Sequence, residues 1–101
     1  MPMPYIKKEL RAKLDPDIDK LVAQISDVNS WGVAADGEVN YIITRIIKSV
    51  FVNPSKSGET KESYFNYNRA IGVLECAKLE LYRHQIGKYE DKKISENGDV
   101  E

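Results

Sequence analysis

The sequence predicts an all-α domain, a small bundle of three or four helices dominated by a long C-terminal one. Three observations carry this expectation. Apolar residues recur three and four apart through most of the chain, the two widest apolar arcs hold that spacing for about four turns, and Pro, Gly and Asn clusters separate the segments. With 101 residues the chain supports one domain, 1–101, with a single core.

After Pro2 and Pro4, Ile6, Leu10 and Leu14 recur every fourth residue and predict a short first helix. Asp15-Pro16 then reads as a restart, because Asp is a good N-cap and Pro is tolerated at the first helical position. The second helix would turn Ile18, Leu21, Val22 and Ile25 inward and end at Asn29-Ser30-Trp31-Gly32, with Trp31 closing one end of the core.

A third helix starts at Asp36-Gly37, with Asp36 as cap and Glu38 in its first turn. Its arc of Val39, Ile42, Ile43, Ile46, Ile47, Val50 and Phe51 spans about half the circumference. The β-branched run would also suit a strand, but strict alternation fails while the helical spacing holds. Asn53 to Glu59 reads as an exposed loop, and Thr60 or Ser63 can cap the last helix.

That last helix is predicted from Tyr64 to Asp91, roughly 40 Å at 1.5 Å per residue. Its apolar residues lie on two sides, so one side is expected to pack within the chain and the other to meet a second copy, most simply as a twofold homodimer. Residues 92–101 read as a polar C-terminal tail, with Glu96 and Asp99 continuing the acidity of Glu90-Asp91.

Composition narrows the function. An apolar share of 42%, a charged share of 31% and a net charge of -1 describe an ordinary soluble protein and argue against a non-specific nucleic-acid binder. The aromatic residues Tyr64, Phe65, Tyr67, Tyr82 and Tyr89 lack the basic groove that base stacking needs, and read as core and interface anchors. A single cysteine, Cys76, cannot form an internal disulfide and reads as a small core residue in a reducing compartment. Without a signal-peptide run or an apolar stretch near ~20 residues, neither secretion nor membrane insertion is expected, and the chain is placed in the cytoplasm.

The polar residues that invite a role are Glu38, Arg45, Asn68 and Glu75. Asn68 and Glu75 lie two turns apart between the apolar patches of the last helix, where a carboxylate needs a cationic or hydrogen-bonding partner. If helices three and four pack antiparallel, Arg45 comes opposite Glu75, giving an ion pair that fixes register. Alternatively the four residues line a pocket for a small anionic or polar ligand. Glu80 and His84, four apart, are too few for a metal site, and no cofactor-binding motif is present. The only His and the only Cys face different sides of one helix, so nucleophilic catalysis is not expected. A helical metal-dependent nucleotide pyrophosphohydrolase is the enzymatic alternative. Glu38, Glu75 and Glu80 are available to it, but the paired Glu-x-x-Glu pattern falls at Glu59 and Glu62, in or near the loop.

Several segments together resemble a family of small uncharacterised proteins of bacteria, archaea and phages. They are Pro4-Tyr5-Ile6, the run Gly37 to Arg45, the run Ile71 to Arg83, and Tyr89 to Ile94 continuing through Glu96-Asn97-Gly98-Asp99-Val100. The resemblance covers nearly all the chain outside the 53–62 loop. It implies no particular activity, and its phage-encoded members imply an accessory or host-interaction role, including capture of a small nucleotide signal. It places Glu38, Asn40, Arg45, Glu75 and the Glu96 to Asp99 segment within the family pattern. The expectation is a non-catalytic, oligomeric helical protein that binds a protein partner or small ligand.

Overall fold

The computed structural model describes residues 5–25 and 34–100. Every regular element among them is helical: α1 (Lys8–Gln24), α2 (Ala34–Ile47), α3 (Tyr64–Leu81) and α4 (Gly87–Asn97). Trp31 and the Asn29 to Gly32 terminator, like Pro2 and Pro4, lie outside the described residues.

α1 corrects the expected break at Asp15-Pro16. It is one helix of 17 residues with Pro16 in its interior. A proline there removes the hydrogen bond to the carbonyl of Ala12 four residues back. Residues 8–24 are all exposed, so water can meet that carbonyl and the helix continues. Of the residues expected to turn inward, only Ile25, just past the helix end, is half-buried in the single chain. Leu10, Leu14, Ile18, Leu21 and Val22 are exposed, and among the described residues α1 packs on no other helix to the extent that α2 and α3 meet.

α2 begins two residues before the expected cap, which puts Asp36 in its first turn, where a negative charge suits the helix dipole. The helical choice over a strand holds along the whole Ile-rich run. The last turn widens into a π-helical segment, Lys48–Val52, which closes with Asn53 N–H donating to the Lys48 carbonyl at 2.7 Å. Asn53 is extended, as a residue preceding proline prefers to be. In the loop, Gly58 N–H donates to Ser55 O at 2.8 Å, and Gly58 has φ +87°, a conformation that favours glycine. Lys61 then reaches back to cap the open end of the π turn, its Nζ 2.7 Å from Ser49 O.

Ser63 is the cap of α3, its hydroxyl accepting from Asn66 N–H at 3.0 Å. Asn66 also donates through Nδ2 to Lys61 O at 2.6 Å, tying the loop to the helix start. α3 continues without a break through a second π-helical turn, Tyr82–Ile86, into α4. The rod is therefore 34 residues long, about 50 Å at the α-helical rise, and runs six residues past Asp91 into the expected tail. It stops at Gly98, which has φ +86° and donates to Ile94 O at 2.8 Å.

The main packing of α2 on α3 lies at the π turn next to the loop. Phe51 and Val52 are half-buried there, Arg69 spans the rings of Phe51 and Phe65 at 5.2 and 5.7 Å, and Ala70 is 4% exposed. Ala70 is the one buried residue among those described. The radius of gyration is 17.5 Å and the extents 58 × 30 × 30 Å, against about 13 Å for a compact chain of this length.

Candidate functional site

The four polar residues expected to act together are divided between two helices. On α2, Glu38 and Arg45 lie on one face, two turns apart, with Tyr41 between them. Arg45 donates to the Tyr41 hydroxyl at 2.9 Å, and its guanidinium carbon is 5.8 Å from that ring's centroid. Glu38 and Tyr41, with Ile42, form one wall of an open groove of about 350 Å³ whose other wall is Leu21 and Gln24 of α1 and Ile25 just after it. On α3, Asn68 is exposed and the Glu75 side chain is 50% exposed.

The expected Arg45–Glu75 contact is not made. Glu75 pairs with Lys78, one turn along its own helix, at 3.2 Å. The physical reason lies in the packing: α2 and α3 meet chiefly at the loop end, so their midpoints are not brought face to face. A carboxylate expected in a dry junction is thus half solvated in the single chain, where such a pair contributes little.

The densest polar cluster is one the sequence does not announce. Tyr5, from the segment preceding α1, reaches the long rod at the start of its π turn. Its hydroxyl donates to Glu80 Oε2 at 2.6 Å and lies 2.6 Å from His84 Nε2. The Tyr5 and His84 rings meet edge to face, centroids 6.1 Å apart. Arg83 completes the group, with Nη2 2.8 Å from His84 Nε2 and 3.5 Å from Glu80 Oε2. His84 Nε2 is itself 3.2 Å from Glu80 Oε2. That nitrogen can donate to the Tyr5 oxygen or accept from Arg83, but not both at once.

Glu80 is the shielded member, its side chain 18% exposed. The hydrogen bond from Tyr5, and then the charges of Arg83 and His84, hold its carboxyl below the ordinary value. The same bond to a carboxylate pushes the Tyr5 phenol up, and the contact with Tyr5 followed by the charge of Glu80 raises Arg83. Glu80 and His84 therefore do come together, as their spacing allows, but around a tyrosine 75 residues away in sequence. No local pattern could have identified Tyr5.

Cys76 is half-buried, as a small packing residue would be. Among the described residues, no three His, Cys, Asp or Glu side chains are grouped so as to hold a metal ion, so Glu38, Glu75 and Glu80 do not form one centre within the chain. No helix among the described residues is long and apolar enough to cross a membrane.

No curated protein and no solved structure gives a significant match to the chain. A family model does, over residues 3–100, and its description is a domain of unknown function, DUF6899. The match spans all four helices and both polar groups just described, and the chain belongs to the DUF6899 family.

Proposed function

We propose that this protein is a non-catalytic helical interaction module whose core is completed by self-association. The observation that carries this reading is that Ala70 is the one buried residue among those described, while large apolar side chains on α1, α2 and α3 face outward. The accessible surface is 8883 Å², whereas a compact monomer of this mass exposes about 5,800 Å². The excess, roughly 3,000 Å² per chain, exceeds the ~800 Å² per partner of a standard interface and suits an obligate one.

Solitary exposed hydrophobics are normal, but contiguous stripes of them mark association surfaces. Two helices joined at one end, with their apolar arcs uncovered beyond it, cannot bury enough surface alone to offset the conformational entropy of ordering the chain. A partner that supplies the missing wall makes folding and assembly one event. The test is thermal unfolding over a hundredfold range of protein concentration. Coupled folding and assembly predicts a midpoint that rises with concentration, and a midpoint that stays constant overturns the proposal.

A further inference from the structure

We infer that the partner is a second copy of this chain, seated antiparallel along α3 in one register that places the twofold axis between residues 72 and 73. The inference rests on the self-association reading above and adds to it the face, the direction and the alignment.

The uncovered face of α3 has heptad spacing. Tyr64, Tyr67, Ile71, Leu74, Lys78 and Leu81 alternate three and four apart, the repeat that keeps a seam on one side of a helix. In the single chain this face is open, with Tyr67 at 41%, Ile71 at 65% and Leu81 at 57% exposure. The half-buried Val73 and Cys76 lie on the other side, and the buried Ala70 lies at the edge of the open face, between it and the packed one.

Continuing the repeat from Leu81 would put Gln85 and Lys88 in the seam, but the next apolar residues are Ile86 and Tyr89, one position late. The π turn at Tyr82–Ile86 absorbs that extra residue, since its hydrogen bonds span five residues rather than four, as from Gly87 N–H to Tyr82 O. The widened turn therefore brings Ile86 and Tyr89 back onto the line of the seam.

Charge selects the pairing. A parallel copy would place Lys78 against Lys78 of the other chain, two ammonium groups in one layer. An antiparallel copy aligned one heptad further along would bring Glu75 beside its own counterpart. Alignment about the axis between 72 and 73 avoids both. Ile71 then packs on the partner's Leu74 and Tyr64 on the partner's Leu81. Lys78 lies over the ring of the partner's Tyr67, where cation–π attraction is available. On the flank, Asn68 comes beside the partner's Glu75 and can donate to its carboxylate. The two polar residues with no cationic neighbour on α2 thus meet each other across the axis.

Disulfide trapping tests this in a Cys76→Ala background, with light scattering on each reduced variant. A mixture of Tyr64→Cys and Leu81→Cys proteins is expected to yield a cross-linked heterodimer on mild oxidation. Either variant alone is expected to stay uncrosslinked, its two thiols being roughly 25 Å apart at 1.5 Å per residue. The pair Tyr67→Cys and Lys78→Cys gives a second reading if a terminal substitution prevents association. Self-cross-linking of Tyr64→Cys or Leu81→Cys, or a mixture that fails to cross-link while still dimeric, overturns the register and leaves self-association standing. A monomer by light scattering in the Cys76→Ala parent removes both.

Discussion

Ile71 gives the self-association account its sharpest quantitative consequence. It is 65% exposed in the single chain, and on a lone helix surface its truncation to alanine would change stability by no more than about 0.5 kcal/mol. In the antiparallel dimer it is a central residue, present twice. Full burial of a large aliphatic side chain contributes roughly 1.5–3 kcal/mol, so completing the burial of one Ile71 contributes roughly 1–2 kcal/mol and of both roughly 2–4 kcal/mol. At 1.4 kcal/mol per factor of ten, Ile71→Ala weakens dimerisation roughly 30- to 700-fold. Sedimentation equilibrium over a dilution series measures this directly. Val100→Ala serves as the control, because Val100 is as exposed as a side chain can be and lies beyond the end of α4. A dissociation constant for Ile71→Ala within threefold of the parent's would refute the reasoning.

Other consequences follow from the helix chemistry and the Tyr5 cluster. Pro16→Ala restores a donor to the Ala12 carbonyl and removes a helix-interior penalty of ~3 kcal/mol, so amide protection across α1 should rise; unchanged exchange would mean that the proline costs the helix nothing. Ser63→Ala removes the cap of α3 and should lower stability to denaturant by ~1 kcal/mol. The contribution of the Tyr5–Glu80 contact depends on pH. Glu80 is held below its ordinary 4.5, so the contact is fully present above that value and is lost as pH falls through the lower folded-state value. Tyr5→Phe should move the Glu80 carboxyl titration, followed by carbon NMR, up toward 4.5; an unmoved titration would show that Tyr5 does not set it.

The helical character of this chain is legible because period 3.6 runs through the residues that form α2 and α3, where β-branched residues could have suggested a strand. Ser63 is legible as a cap because its hydroxyl precedes a long periodic run. The continuity of α1 is not, since Pro16 looks like a start signal and passes into a helix interior only because its surroundings are solvent. The polar quartet illustrates a different limit. The sequence places Arg45 and Glu75 near the middles of their helices, but helix contact is decided by where the arcs actually meet, and that is the π turn at Phe51. Tyr5 belongs to a segment that carries the family resemblance, but nothing local names its partner, since it is tied to Glu80 by tertiary placement alone. The π turn in the long rod does leave a trace in the residue numbers, the five-residue step from Leu81 to Ile86 in a repeat otherwise built of threes and fours.

The most direct test of the central claim is the mass of the intact protein by light scattering at micromolar concentration. A second copy completing the core predicts twice the chain's 11.5 kDa, falling toward the single-chain mass only on strong dilution. A stable, cooperatively folded species at the single-chain mass would contradict it.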